Sequence, residues 1–319
     1  MNTRLKADLG LALSTLIWGC SFVVVKAVLD HASVFVFLAV RFLLASLIPG
    51  VLYRSSLRHL SRDTIRAGVI LGGFLFAGYA FQTTGLGLTT PSKSAFITGS
   101  AIVLVPVFLA LFWGRHASAW MWTGAAASTG GLYFLTVPAE GLGALHRGDL
   151  LTFIGAVLFA LHIIYVGHYS PRHPVLALTL LQVATAAALS AVFIPLAAVL
   201  QIERPRIDAS PAFFFALFVT VIGATVIAFS IHVWAQRHTS ATHTALLFSL
   251  EPVFAGATSF FVTGERLGPR GFLGAALILG GILVAELLGP VHAIADSTDA
   301  TTDTVSDELT GESSDAAAP

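Results

Sequence analysis

Residues 239–286, TSATHTALLFSLEPVFAGATSFFVTGERLGPRGFLGAALILGGILVAE, contain two apolar runs separated by a short polar turn. The runs cover residues 242–263 and 269–288. At a rise of about 1.5 Å per residue, each forms a helix that can cross a hydrocarbon core of about 30 Å. Glu251 and Pro252 lie near the middle of the first run, where a carboxyl group is costly in lipid. The pair therefore predicts a membrane helix whose middle faces protein or a watery cavity.

The arrangement occurs a second time, earlier in the chain, at residues 89–136. A shift of 150 residues aligns Gly124 with Gly274, and a shift of 141 aligns Asp8 with Asp149. Each of these two aspartates stands at the start of an apolar run. The chain is therefore predicted to consist of two copies of one unit, a construction common among secondary transporters.

Composition indicates a membrane protein. Of the 319 residues, 56% are hydrophobic and only 11% are charged, and the mean hydropathy is +0.85. A soluble domain would carry about 25% charged residues. The formal net charge is zero, so there is no electrostatic basis for a nucleic-acid partner. We expect an all-α polytopic membrane protein in contact with lipid.

Ten apolar runs are long enough to be membrane spans, and the connections between them are short. The predicted spans are residues 8–29, 33–53, 64–86, 92–113, 118–137, 148–169, 175–200, 211–234, 242–263 and 269–288. The first five form one repeat, residues 8–137, and the last five form a second, residues 148–288. Because five is an odd number, the second repeat enters the membrane in the opposite direction, which makes the two repeats inverted.

Basic residues predict the orientation. With a cytoplasmic N-terminus, nine Lys and Arg residues fall on the inside and six on the outside, and the cluster between Arg54 and Arg66 contributes most to the difference. Both termini are then cytoplasmic, Arg58 faces the inside and Arg204 the outside. Residues 290–319 are rich in acids and lack Lys and Arg, which predicts a disordered cytoplasmic tail.

Enzyme motifs are missing from the sequence. It has no phosphate-binding glycine loop, no HExxH and no Cys/His cluster. Its many glycines recur at the spacing that lets membrane helices approach closely. We therefore expect neither catalysis, nor a cofactor, nor a metal site.

A few polar and aromatic side chains inside the spans are candidates for a cavity near the bilayer midplane. Symmetry supports this, because Gln82 and His232 align under the shift of 150, and Ser21 and His162 under that of 141. For His232, near the cytoplasmic end of its span, an interfacial position is favoured. The predicted cavity residues are Trp18, Tyr79, Gln82, His162 and Tyr165.

Two charged residues lie well inside spans. Glu251 is assigned to the cavity and to energy coupling, because removal from water disfavours a charged carboxylate and so suits a group that binds and releases a proton. A purely structural hydrogen bond to a neighbouring helix is an equally open explanation for Glu251. For Arg41, a structural role at the outer ends of the helices is favoured.

Several short motifs resemble the EamA-type family of the drug/metabolite transporter superfamily, over about residues 7–288. The resemblance implies ten helices in two inverted repeats, a central pocket lined mainly by spans 1, 3, 4, 6, 8 and 9, and export of amino acids or other small metabolites. The motifs are Trp18-Gly19-Cys20-Ser21-Phe22, Phe81-Gln82-Thr83-Thr84-Gly85-Leu86, and Leu250-Glu251-Pro252-Val253-Phe254 followed by Gly264-Glu265-Arg266-Leu267.

These observations lead to one expected function. We expect a multi-pass transporter of the cytoplasmic (inner) membrane, monomeric or homodimeric, that exports a small-molecule substrate, with amino acids favoured. Two alternatives stay open: a broad-specificity exporter of lipophilic compounds, and a non-transporting membrane scaffold or lipid-handling protein.

Overall fold

The computed structural model describes residues 2–54, 60–89, 91–137, 140–141, 146–263 and 268–288. The predicted acidic tail, Arg58 and the Gly264–Leu267 turn lie outside these residues. The tail's disorder and the cytoplasmic position of Arg58 therefore stay predictions.

The described residues form helices joined by short connections, and their only β-type contact is an isolated bridge between Ala32 and Ile207. The predicted all-α class is confirmed. The helices are α1 Thr3–Val28, α2 Val34–Leu52, α3 Arg62–Leu88, α4 Pro91–Gly99, α5 Ala101–Trp113, α6 Ala119–Thr136, α7 Arg147–Tyr169, α8 Val175–Val199, α9 Pro211–Phe218, a π-helical segment Val219–Ile227, α10 Ala228–Ala235, α11 Ala241–Phe248, α12 Glu251–Thr263 and α13 Pro269–Leu288.

Seven helical segments among the described residues are long and apolar enough to cross a membrane. They are Thr3–Val28, Val34–Leu52, Arg62–Leu88, Ser94–Trp113, Arg147–Tyr169, Val175–Val199 and Pro211–Ala235. The other three predicted spans fall on α6, on the pair α11 and α12, and on α13. The exact number of ten spans stays a prediction.

Local side-chain chemistry explains where several helices begin. Ser61, Ser118, Ser210 and Ser240 immediately precede α3, α6, α9 and α11, and each hydroxyl accepts a hydrogen bond from a backbone N–H in the first turn. Such a cap contributes about 1 kcal/mol, because the first N–H groups of a helix have no partner within it. For α2, the Glu203 carboxylate takes this role by accepting from the backbone N–H groups at positions 34 and 35.

Helices at equivalent positions of the two sequence repeats pack antiparallel. In α6 and α13, Gly124 lies against Gly281 and Gly131 lies against Gly274. A Cβ atom built on Gly124 or on Gly131 would lie 2.6 Å from the facing glycine's carbonyl oxygen. Helices α2 and α8 show the same direction, since the Phe35 ring near the start of α2 lies 5.7 Å from the Phe193 ring near the end of α8.

Two adjacent glycines in α6 allow a matched test of this packing. A Cβ atom on Gly131 would meet the backbone of α13, whereas one on Gly130 would meet nothing within 4 Å. We expect Gly131→Ala to destabilise the protein by about 1–3 kcal/mol, because neither backbone can move away without loss of other contacts.

Gly130→Ala is the control, with unchanged or slightly raised stability, because alanine is the better helix former. Thermal unfolding of both variants in detergent measures the difference. Equal melting temperatures for the two variants would contradict the close approach of α6 and α13.

Candidate functional site

A cavity of about 100 Å³ lies between α1, α3, α7, α10 and the paired short helices α4–α5 and α11–α12. A single water needs about 10–15 Å³ on this scale, so the cavity admits several waters or a small organic solute. The structure places five of the residues assigned from sequence in its wall, namely Trp18, Tyr79, Gln82, His162 and Glu251.

The helix that carries Glu251 is interrupted at the cavity. Residues 242–263 were predicted to form one continuous span, but α11 ends at Phe248 and α12 begins at Glu251. Pro252 explains the break, because proline lacks an N–H and is tolerated in the first turn of a helix but not in its interior. In the first repeat, residues 92–113 are likewise divided, into α4 and α5. Ala101, the first residue of α5, aligns with Glu251 under the shift of 150 residues.

Glu251 itself sits where α12 approaches α1. A Cβ atom built on Gly19 would lie 2.6 Å from the Glu251 carbonyl oxygen, so only glycine allows this approach without a shift. The Glu251 side chain lines the cavity, and the described part of the chain offers its carboxyl group no hydrogen bond or ion pair. At the first position of α12, a carboxylate also interacts favourably with the partial positive charge of the helix start.

Arg41 lines the same cavity, although only a structural role was favoured for it from sequence. Its side chain is 1% exposed, and its Nε donates a 2.9 Å hydrogen bond to the Thr225 hydroxyl. Its Nη2 lies 3.4 Å from the Tyr79 hydroxyl, and the guanidinium carbon lies 4.7 Å from the centre of the Tyr79 ring. The sequence signal was the position of an arginine inside an apolar span, combined with its alignment to Gln182.

The π-helical segment Val219–Ile227 supplies two groups that orient side chains of the cavity. The Ala224 carbonyl accepts a 2.8 Å hydrogen bond from Trp18 Nε1, and the Thr225 hydroxyl accepts the bond from Arg41. Single π-helical turns are frequent at functional sites. The uniform apolar run at residues 211–234 contains nothing that predicts this local change of helix type.

Aromatic and polar side chains complete the wall. The Trp18 ring lies 5.2 Å from Phe229 and 5.1 Å from Phe248. On the other side of the cavity, Gln82 Nε2 donates to the Thr98 hydroxyl at 3.0 Å. Within the described residues, no group of three or more His, Cys, Asp and Glu side chains could hold a metal ion.

His232 does not occupy an interfacial position, and that expectation was wrong. Its side chain is 1% exposed and lines the cavity. Its ring lies 5.8 Å from His162 and 5.1 Å from Phe248. The alignment of His232 with Gln82 was the correct sequence signal.

Tyr165 lies away from the cavity, in contrast to the other five candidate residues. Its ring stacks on Phe74 at 5.2 Å and on Tyr169 at 6.0 Å, and packs edge-on against Trp113 at 5.9 Å. Tyr165 stands almost one turn beyond His162 on α7, where this helix packs on α3 rather than facing open space. This position removes Tyr165 from the candidate site.

A helical membrane protein with antiparallel equivalent helices and broken helices around a central cavity has the architecture of secondary transporters. The sequence model of the EamA-like transporter family matches residues 5–137 and 146–287 of this chain, one match to each repeat. The chain therefore belongs to the EamA-like transporter family and is a multi-pass membrane transporter.

One protein is similar to this chain in sequence, and one solved structure is similar to it in fold. The chain is 34% identical over 284 residues to a protein of Archaeoglobus fulgidus that is named only as an uncharacterized transporter, covering 89% of this chain and 87% of that relative. A chain of known crystal structure aligns with a TM-score of 0.72 and 20% identity, over 89% of this chain and 98% of the other. At this identity the second likeness bears on the fold alone.

Proposed function

We propose that this transporter exports small organic metabolites, with amino acids favoured, across the cytoplasmic membrane. The observation that carries the proposal is the presence of one basic and one acidic side chain, Arg41 and Glu251, in the wall of a single cavity. Together with Arg41, the five sequence-assigned residues that line the cavity take part in the proposed substrate site, namely Trp18, Tyr79, Gln82, His162 and Glu251.

The two charged side chains suit the two ends of a zwitterion. The guanidinium group of Arg41 bonds Thr225 and Tyr79 through Nε and Nη2, while Nη1 has no protein partner among the described residues. A guanidinium group is the preferred partner of a carboxylate, and a carboxylate such as that of Glu251 can accept from an ammonium group. The rings of Trp18 and Phe229 offer apolar surface for the remainder of the solute.

The proposed topology has ten spans in two inverted repeats, with both termini cytoplasmic. Antiparallel packing of α6 with α13, and of α2 with α8, supports inversion because these helices occupy equivalent places in the two repeats. The two interrupted helices support it as well, since inverted-repeat transporters place their binding sites at such breaks.

The cavity is not symmetric between the two repeats, which supports alternating access. Val25 and Leu86 extend the cavity lining towards the end of α1 and α3. Their equivalents under the two shifts, Val166 and Gln236, do not line it, although all four side chains are buried. Gln236 Nε2 donates to the Ile163 carbonyl at 3.1 Å and so joins α10 to α7 at that end. With a cytoplasmic N-terminus, the closed end is the cytoplasmic one.

A broad-specificity exporter of lipophilic compounds is the second candidate function. The aromatic rings in the cavity wall favour it, because they offer a large apolar surface with few directional contacts. The buried guanidinium group of Arg41 weighs against a purely lipophilic solute, because such a solute offers it no hydrogen-bond acceptor.

Flux in proteoliposomes tests the proposed function. We expect the purified, reconstituted protein to move neutral L-amino acids with saturable kinetics, and to move matched amines and carboxylic acids that carry only one charged end much more slowly. Flux of the single-ended compounds alone would favour the lipophilic exporter. Absence of any protein-dependent flux of a wide metabolite library would support a scaffold instead.

Arg41→Gln sharpens this test, because glutamine stands at the equivalent position 182 of the second repeat. The substitution keeps a hydrogen-bond donor for Thr225 but removes the positive charge. We expect about 10- to 100-fold weaker amino-acid transport, the usual loss for one hydrogen bond to a charged group, with little change for a matched amine. An equal loss for both compounds would point to a structural role, and the melting temperature identifies misfolding.

A further inference from the structure

Four buried side chains form a polar cluster beside the cavity: His162 and His232 line the cavity, and Gln182 and Gln236 contact these two histidines. Each is 2% exposed or less. Four polar atoms of the cluster have no hydrogen-bond partner among the described residues, namely Gln182 Nε2, His232 Nδ1, His232 Nε2 and Gln236 Oε1. More than about 90% of buried polar groups in proteins are paired, so a concentration of unpaired atoms at one place indicates a group that binds there.

The cluster is held in place by bonds that leave these four atoms available. His162 Nε2 lies 2.9 Å from Gln182 Oε1, which fixes α7 against α8. Gln236 Nε2 donates to the Ile163 carbonyl, which fixes the end of α10 against α7. Gln182 therefore has a free amide nitrogen, whereas the amide oxygen of Gln236 faces His232. Only one ring nitrogen of His232 can pair with that oxygen, so at least one ring nitrogen has no partner in the described part of the chain.

Apolar rings enclose His232 on its other sides. Trp18 meets it edge-on at 6.0 Å, Phe229 lies at 6.2 Å and Phe248 at 5.1 Å, measured between ring centres. None of these rings can satisfy a ring nitrogen of His232 with an ordinary hydrogen bond in the observed arrangement. His162 and His232 both line the cavity, so a solute in the cavity lies next to the cluster.

We propose that the polar cluster is a specificity subsite of the transporter, which takes a neutral hydrogen-bonding group on the side chain of the solute. The atoms of the cluster that reach the cavity are those of the His162 and His232 imidazoles, which can donate or accept, so a hydroxyl or an amide matches them. An isosteric apolar group leaves them unpaired and is rejected. The inference rests on the proposed function, because it assigns the side-chain end of the same solute.

Isosteric amino acids test the subsite with the reconstituted, full-length protein. The pairs are threonine against valine and tyrosine against phenylalanine, which probe two depths of the cavity. In competition with a transported radiolabelled amino acid, we expect the hydroxyl-bearing member of at least one pair to bind about tenfold more tightly, the usual effect of one buried hydrogen bond. We expect His232→Phe to reduce that ratio to about one, and His232→Gln to restore part of it.

Phe248→Leu is the matched control, because it alters the shape of the same wall without removing a hydrogen-bonding group. It should change the affinities for both amino acids of a pair alike and leave the ratio of the two affinities intact. Equal ratios in the wild type and in His232→Phe would overturn the subsite and would leave water, or a rotation of His232 towards Gln236, as the partner of these atoms. If the wild type moves no amino acid at all, the proposed function fails instead, so the two failures are distinguishable.

Discussion

Glu251→Gln should abolish uphill transport while substrate exchange continues at saturating solute, although the neutral amide binds the ammonium group of the solute more weakly. Glutamine keeps the size of the side chain and its capacity for hydrogen bonds, but it cannot carry a proton. The Glu251 side chain lines the cavity, and its carboxyl group makes no hydrogen bond or ion pair among the described residues, so it is available to both solute and proton. Its place at the break between α11 and α12 puts this carboxyl group where the helix can change direction.

A pH gradient across proteoliposomes gives the expected size of the effect. Consider vesicles whose interior is one pH unit more acidic than the outside. Exchange of one outgoing proton for one incoming solute can then raise the inside-to-outside ratio of solute concentrations to about ten. We expect the wild type to approach that ratio in vesicles of the appropriate orientation, and the variant to stop at about one. Exchange of labelled for unlabelled solute, measured without a gradient, serves as the control for folding and binding.

If Glu251→Gln still accumulates solute against its gradient, proton coupling does not pass through this residue. If the variant loses exchange even at saturating solute, Glu251 is required for binding or helix packing, and the proposed coupling role fails. An Ala101→Ser variant is a useful companion, because position 101 is equivalent to 251 in the first repeat but carries no acid in the wild type. It should leave the pH dependence unchanged.

The class of fold could be predicted from sequence because its determinants are local and periodic. Apolar runs of span length appear at regular intervals, and glycine pairs such as Gly124 and Gly274 recur at a constant shift. The structure uses these glycines for the close approach of α6 and α13. Family membership followed from short motifs around Glu251 and Trp18, which the comparison with known families bears out.

The candidate site was predictable only in part. The sequence shows which residues belong to a span, but it shows less well which face of the helix points to the cavity. Tyr165 and His162 are three residues apart on α7, yet only His162 lines the cavity. The buried position of His232 depends on α10 packing against α1, which a single sequence does not reveal. The π-helical segment also escaped prediction, because the uniform apolar sequence carries no signal for it. The break before Glu251 had a local signal in Pro252, although residues 242–263 were predicted as one span.

Alternating access around the cavity predicts opposite behaviour at two equivalent positions. Leu86 lines the cavity in this structure and its equivalent Gln236 does not, although both side chains are buried. An inverted pair of repeats can exchange conformations, so in the opposite state the first position closes and the second opens. The two positions should therefore never be open to water together.

The most direct measurement is the reactivity of single cysteines, Leu86→Cys or Gln236→Cys, in a Cys20→Ser background. Leu43→Cys, at a position that is exposed but outside the cavity, is the control for reaction through lipid. We expect an impermeant maleimide to label position 86 only from outside and position 236 only from the cytoplasmic side. A solute gradient should raise the labelling rate at one position as it lowers the rate at the other. Simultaneous labelling of both positions, or no change of either during transport, would contradict alternating access.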